Sequence, residues 1–318
     1  MSKVLVTGAA GFIGFHLCKS LLDDNYEVFG IDNLNDYYDI NLKQARLEEL
    51  KPYKNFTFNK VNLVDRESLT QSFQLFKPNK VVNLAAQTGV RYSLENPYAY
   101  IDSNLVGYLN IIELCRHNDV EGLIYASSSS VYGGNEKKPS SVEDRVDNPI
   151  SLYAASKKSN ELIANSYSHL YGLHTTGLRY FTVYGPWGRP DMAMFIFTRK
   201  IIAGEPIPVF NNGNMKRDFT YIDDIINGTR LAIDKNFKSE IFNLGSHKSE
   251  QLMDMITLIE KKLGKKAILD FQPMQPGDVK ESFSDIEKSR KKLYYQPTIT
   301  IDRGIPKFID WYKNYYKI

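Results

Sequence analysis

Gly8, Gly11 and Gly14 recur at three-residue intervals, directly after the apolar run Val4-Leu5-Val6-Thr7 and at the head of an amphipathic stretch from Phe12 to Leu22. An apolar run that ends in glycine and opens into a helical pattern reads as strand, tight turn and helix. The same alternation continues. Val28 to Asp32 reads as a second strand and Phe56 to Val61 as a third, followed by a helix from Leu69 to Phe76. Lys80 to Ala85 and Gly122 to Ser127 read as further strands. Short continuous apolar strands alternating with helices predict a parallel sheet covered on both faces, an α/β doubly wound fold.

After residue 180 the pattern turns irregular, with turn signals at Gly185-Pro186, Gly188-Arg189-Pro190 and Asn211-Asn212-Gly213. Helical stretches follow at Met194 to Ala203, Ile222 to Ile233 and Gln251 to Leu263. We therefore expect a nucleotide-binding domain over 1–180, with later returns near 217–245, and a smaller α/β substrate lobe over 181–318. No repeat, low-complexity segment or long linker separates them, so the lobes should pack closely. A chain of 318 residues with 42% hydrophobic and 24% charged residues is ordinary for a globular protein. A net charge of +3 on scattered lysines does not suggest nucleic acid. Lys261-Lys262 with Lys265-Lys266 reads as a solvated helix end. Cys18 and Cys115 sit inside apolar helical patterns, which suits buried thiols better than a disulfide or a metal site. Lys3-Val4-Leu5-Val6 runs straight into glycines, unlike a signal peptide, and no apolar run is long enough to span a membrane. A cytoplasmic protein with no membrane or nucleic-acid partner and no metal is expected.

The glycine spacing carries a specific chemistry. The first glycine permits the tight turn, the second lets a pyrophosphate approach the backbone, and the third lets helix pack on strand. The N–H groups of the helix start, around Phe12 and Ile13, then face the phosphates. Asp32 ends the next strand, where a carboxylate accepts both ribose hydroxyls of NAD and repels the 2′-phosphate of NADP. The following residue is Asn33, and no arginine stands beside it. Asn83-Leu84-Ala85-Ala86-Gln87 closes the fourth strand with small residues against which a dinucleotide can lie. Asn62-Leu63 falls where the adenine would rest, though routine loop chemistry also accounts for these residues.

Tyr153-Ala154-Ala155-Ser156-Lys157 follows Ser128 in the chain. A helix puts residues i and i+4 on one face, so Lys157 can favour the Tyr153 phenolate as a base near neutral pH. Tyr-x-x-x-Lys alone is weak, since a chain with 21 tyrosines yields roughly one or two such matches by chance. Glycine cradle, Ser128, Tyr153 and Lys157 in this order are much stronger. Together they supply a dinucleotide site, a hydroxyl, a phenol and an ammonium, a kit for moving a hydride and a proton.

These residues resemble the extended short-chain dehydrogenase/reductase family, in its nucleotide-sugar branch. The likeness includes Tyr125 to Gly133, Arg179-Tyr180-Phe181-Thr182-Val183-Tyr184-Gly185-Pro186 and Arg217 to Asp224, and it spans essentially the whole chain. It implies a Rossmann fold, NAD held through turnover, a nucleotide-sugar substrate oxidised at C4, and a homodimer built on two long helices, one beginning near Ala99 and one holding Tyr153. It also implies a cofactor set extended by Asn104, Tyr180, Tyr153 and Lys157. Relatives that dehydrate or decarboxylate the 4-keto sugar carry an acid just after the active-site hydroxyl, whereas this chain has Ser129 and Ser130. A hydroxyl cannot replace that carboxylate, which leaves epimerisation.

The stretches 87–97, with Gln87 and Arg91, 188–193 and 273–279 are similar to UDP-glucuronate 4-epimerases. Gln275 and Thr182 stand where UDP-glucose epimerases usually carry arginine and asparagine. The hydroxyls of Ser128, Ser129, Ser130 and Thr182 can hold a sugar carboxylate without adding charge. Arg217 suits the UDP diphosphate and Arg189 a site nearer the sugar, each against the alternative of a surface ion pair. Asp278 suits the uridine ribose or an ordinary turn. Two departures from the family stand out, Asn62 for a common aspartate and Asn83 for a common histidine. The stretch from Asn35 to Glu49, with Tyr37 and Tyr38, resembles uronate epimerases but suggests no chemistry. Rival readings are a 4-epimerase of UDP-glucose or UDP-N-acetylglucosamine, including their uronic acids, and a NAD-sensing protein without chemistry, against which Tyr153 and Lys157 stand intact.

Overall fold

The computed structural model describes residues 2–318. Seven parallel strands form one sheet in the order 239–244, 175–180, 122–128, 80–83, 3–7, 27–32 and 56–60. Its strands are β1 (Lys3–Thr7), β2 (Glu27–Asp32), β3 (Phe56–Lys60), β4 (Lys80–Asn83), β5 (Gly122–Ser128), β6 (Thr175–Tyr180) and β7 (Ser239–Leu244). The order reverses direction between the first and fourth strands, so a crevice opens above their carboxyl ends.

Alternation along each strand divides the core between two faces. Val4 and Val6 of β1 point to one face, against Leu17 and Leu21 of helix α1 (Phe12–Asp23) and Ile225 of the helix Ile222–Lys235. Leu5 points to the other face, with Leu69 and Phe73 of the helix Arg66–Phe76, Ile111 and Ile112 of Gly107–His117 and Ala164 of the helix Leu152–Tyr171. Burial on both faces explains why these strands read as unbroken apolar runs.

The expected elements stand within a few residues of their predicted ends. Four elements lacked a clear signal: the helix Ile40–Leu50, the strands Thr175–Tyr180 and Ser239–Leu244, and the C-terminal helix Ile301–Tyr316. Ser239–Leu244 completes the main sheet at its edge. The residues after 180 add a parallel pair, Pro206–Phe210 with Ile268–Gln272, and the helices Ala193–Ala203, Leu252–Leu263 and Ile301–Tyr316. Phe195, Phe308, Trp311 and Tyr312 join the first and last of these helices. One hydrophobic cluster runs from Val4 through Phe219 to Tyr312, so the later elements share a core with the sheet. Cys18 and Cys115 are buried free thiols. The lysine pairs flank a helix end capped by Gly264, with Lys262 on Asp310 and Lys266 on Glu260. No helix of the described residues is long and apolar enough to cross a membrane.

His16 on α1 donates from Nε2 to the Pro186 carbonyl at 2.9 Å, joining the first helix to the turn at 185–188. Burial, despite that bond, holds its pKa down at about 4. As pH falls from 6.5 to about 4, the unfolded chain takes up a proton that the folded chain refuses. This group should therefore withdraw about 1.4 kcal/mol of stability per pH unit across that window. Urea melts of His16→Gln should show a flatter acid limb than the wild type; identical limbs would refute this assignment.

Candidate active site

The loop between β1 and α1 makes the floor of the crevice. Gly8 has φ +72°, and a Cβ there would lie 2.8 Å from the Ala85 nitrogen. A Cβ on Gly14 would lie 2.0 Å from the Gly8 carbonyl oxygen, so α1 can approach the loop only without one. Asp32 closes β2 with Oδ2 accepting from the Ala10 N–H at 3.2 Å and Oδ1 from the Leu34 N–H at 2.8 Å. Burial nonetheless raises its pKa, with those two N–H groups and the charge of Lys43 opposing. Thr7 donates to Asn83 at 2.6 Å and accepts from the Ala85 N–H at 3.1 Å, fixing the fourth strand's end against the loop. Asn83 is thus a neutral link under the floor. A glycine cradle that side chains would fill, beside a carboxylate at the second strand's end, fits a dinucleotide.

Several residues of the expected cofactor set serve from behind this floor. The Phe12 side chain is buried against His16 in the core. Ile13 is partly buried and packs against the same core. Asn33 caps its own turn by accepting from the Asn35 N–H. Leu63 is buried and its carbonyl accepts from Asn110, whereas Asn62 is exposed on the loop before it. The Asn104 amide brackets Gln87, accepting from the Gln87 N–H at 2.8 Å and donating to the Gln87 carbonyl at 3.0 Å. A second N–H bond, to Ser156, uses both of its donors and leaves its oxygen with one free lone pair, so it shapes the strand end. The buried Tyr180 hydroxyl bonds to Thr229 at 3.0 Å. Both entered the expected cofactor set through the resemblance, and these long-range contacts were not visible in the sequence.

The reactive groups converge from two elements. Ser128 is the last residue of β5, and Ser151 caps the helix Leu152–Tyr171 by accepting from the Ala154 N–H. Tyr153 and Lys157 therefore lie on the first turns of that helix, facing the sheet edge. Burial raises the Tyr153 pKa, while hydrogen bonding with Ser128 and the charge of Arg189 pull it down. Lys157 donates to the Ala126 carbonyl at 2.9 Å and makes no bond to Tyr153; burial lowers its pKa to about 8. Its ammonium is anchored to the strand and not to the phenol that the spacing suggested. Ser128 and Ser130 are linked hydroxyl to hydroxyl at 3.1 Å, and the Ser130 N–H also donates to Ser128.

Other sequence candidates gather farther along the crevice. Arg91 pairs with Asp278 at 3.0 Å and lies over the Phe210 ring at 4.4 Å. Arg217 donates to the carbonyls of Lys216 and Lys280, and its pKa is lowered by burial, with Asp278 opposing and Arg91 adding to the effect. Two guanidiniums with one carboxylate between them leave an uncompensated positive end, suited to a diphosphate. Arg189 pairs with Asp191, which also accepts from the Tyr37 hydroxyl at 3.3 Å. Gln87 is buried and Thr182 half-buried at the same opening. Among the described residues no His, Cys, Asp and Glu cluster could hold a metal ion.

Sequence reasoning missed the group beneath this site. Arg179 donates twice to Glu161, at 2.8 and 2.9 Å, and both are buried. Ser127 donates to the same carboxylate, and Tyr132 joins Arg179 to Asn243. Burial works against the Glu161 charge, but Arg179 outweighs it and keeps the pKa low. Glu161 stands one helical turn past Lys157, on the same face, which was the available signal. Glu161→Ala should cost about 3–5 kcal/mol by leaving Arg179 buried without a counter-charge, and the double replacement Glu161→Leu with Arg179→Met should recover much of it. Equal urea midpoints for the single variant and the wild type would contradict this.

The sequence profile of the NAD dependent epimerase/dehydratase family matches residues 4–245. The chain is 49% identical to Protein CapI of Staphylococcus aureus, with 99% of each chain covered. It is 42% identical to a probable UDP-glucuronate 4-epimerase of Rhizobium meliloti, covering 99% of this chain and 98% of that one. Among solved structures, a UDP-glucuronic acid 4-epimerase of Bacillus cereus, in complex with UDP-glucuronic acid and NAD, superposes with a TM-score of 0.93 at 36% identity. That match covers 99% of this chain and 100% of the other.

Proposed function

Because the chain belongs to the NAD dependent epimerase/dehydratase family, we propose that it is a NAD-dependent UDP-glucuronate 4-epimerase, interconverting UDP-glucuronate and UDP-galacturonate. The observation that carries the reading is the hydroxyl cluster around Tyr153. Ser128 bonds to Tyr153 and Ser130 bonds to Ser128, while positions 129 and 130 offer no carboxylate. The relatives named for this activity supply the sugar.

NAD, when bound, supplies the oxidant that takes hydrogen from sugar C4 and later returns it. The protein's residues do the rest. Gly8, Gly11 and Gly14 admit the pyrophosphate, and Asp32 receives the ribose hydroxyls. Tyr153 accepts the proton of the C4 hydroxyl and gives one back when the ketone is reduced from its other face. Ser128 donates to the same oxygen and steadies the developing charge. Arg217 and Arg91 hold the diphosphate, and Asp278 lies within reach of the uridine ribose. The 4-keto uronate is a β-keto acid, prone to lose carbon dioxide. Ser129, Ser130 and Thr182 keep its carboxylate away from the geometry for that loss, and the absence of an acid there removes the proton donor that decarboxylation needs. In this division of labour residues 1–180 with 217–245 serve the cofactor, and the rest of 181–318 mainly serves the nucleotide sugar.

Incubation with UDP-glucuronate, followed by NMR at C4, should give UDP-galacturonate and no UDP-pentose. Tyr153→Phe should lower kcat by roughly 10²–10⁴-fold, the usual weight of a general acid–base group. Conversion of UDP-glucose or UDP-N-acetylglucosamine alone would refute the carboxylate pocket.

We also propose a homodimer. Tyr98, Ile101, Val106 and Leu109 form an exposed apolar stripe on the helical run from Pro97 to His117, and Leu162 and Leu170 extend it on the helix Leu152–Tyr171. A patch this continuous is atypical of a surface that faces water. Sedimentation should report a dimer for the wild type and a monomer for Leu109→Glu with Leu162→Glu; a monomeric wild type would exclude it.

A further inference from the structure

Arg46 lies in the stretch from Asn35 to Glu49 for which the motifs suggest no chemistry, yet it is fully buried. Arginine is almost never fully buried unless paired. Among the described residues no carboxylate lies within ion-pair distance of it; carbonyl dipoles face it instead. One Nη donates to the Ala10 carbonyl at 2.8 Å and to the Tyr38 hydroxyl at 2.8 Å. The other donates to the Trp187 carbonyl at 2.6 Å and to that of Gly188 at 3.4 Å. Its Nε has no partner. The guanidinium therefore ties the crest of the glycine loop to a turn that is remote in the chain.

That turn is held in an unfavourable backbone. Trp187 has φ +62°, a left-handed conformation that bulky residues rarely adopt, and Gly185 before it has φ +147°. Such a conformation persists only where the surroundings over-determine it. Here Arg46 and His16 each hold a carbonyl of the turn, at Trp187 and Pro186. Arg189 follows immediately, and its partner Asp191 is held by Tyr37 from the same 35–49 stretch. Ala10, whose carbonyl Arg46 grips, also gives its N–H to Asp32. An unbroken series of contacts thus joins the ribose-binding carboxylate to the arginine nearest the sugar.

The geometry points to Arg46 as a positioning residue that couples the cofactor loop to the 185–189 turn, so that dinucleotide docking at Gly8–Gly11 sets Arg189 for the sugar. This deepens the epimerase reading and takes its ligands from it. The guanidinium fork suits the task because its geometry is planar and fixed, whereas a lysine ammonium offers one point of contact.

The chain has two tryptophans, Trp187 and Trp311, whose rings lie 5.4 Å apart, so emission excited selectively at tryptophan reports on this turn and the helix packed against it. NAD is titrated into cofactor-stripped wild type, Arg46→Lys and Arg46→Met, with emission and NAD binding by calorimetry read together. The wild type should shift its emission in step with NAD binding, and Arg46→Met should bind NAD without the shift. In the cofactor-loaded enzymes, Arg46→Met should raise KM for UDP-glucuronate on the order of tenfold, within the range of coupled sites, with kcat little changed. Should Arg46→Met fail to fold by circular dichroism, Arg46→Lys decides, with a reduced emission shift and raised KM expected. A wild type without the shift, or folded variants with wild-type shift and KM, would overturn the proposal. If UDP-glucuronate is not turned over at all, the epimerase reading fails, and the NAD-driven emission shift still decides the role of Arg46.

Discussion

The buried pair of Glu161 and Arg179 is the constraint on which the site depends. Arg179 lies on the sixth strand, in register with Ser127 on the fifth and Asn243 on the seventh. Glu161 lies on the helix that carries Tyr153 and Lys157. Two bonds from a planar guanidinium to a carboxylate fix both distance and orientation. The helix is thereby indexed against the sheet edge that presents Ser128. Net stabilisation from such a pair is small, because desolvation offsets most of the attraction. Its consequence is positional: the phenol and the serine hydroxyl stay in reach of one another only while helix and strand keep this register.

Much of the fold was legible because its signals are local. Glycine spacing, the switch from strand to helical periodicity and Asp32 at a strand end all lie within the first βαβ unit. Tyr153, Lys157 and Ser128 were readable for the same reason, each by its place at the start of a helix or the end of a strand. The hydrogen-bond partners of Asn104, Tyr180 and Arg46 were not. Each has a polar side chain whose partners arrive from distant segments, such as Trp187, which is 141 residues from Arg46. Periodicity assigns such a residue to the surface or to a ligand, and it carries no information on where a carbonyl will converge. The sixth and seventh strands were weak for a related reason. Thr175, Thr176 and Asn243 are buried polar residues that dilute an apolar run.

Lys157 shows how a motif can predict the residue without its contact. The i, i+4 spacing places it on the face of Tyr153, and the structure agrees. Its long side chain then donates to the Ala126 carbonyl. Because burial makes the charged amine costly, the best local acceptor takes it. The same burial raises the phenol while it lowers the amine, so desolvation alone moves the two groups apart in proton affinity. A cationic ring beside them would lower the phenol, which is the ordinary consequence of a positive charge near an ionising group.

The residues before and after 180 are joined at two levels. A common hydrophobic cluster runs beneath the crevice, and polar contacts cross above it at His16, Arg46 and Tyr37. All three reach the segment 185–191, which carries two turns and an arginine on little regular structure. Such a segment has few local hydrogen bonds of its own, so its conformation is dictated by what it leans on. It leans on α1 and on the stretch after β2, both parts of the cofactor side. The position of Arg189 is therefore a property of the whole crevice, and any change to the loop between β1 and α1 acts on both ends of it.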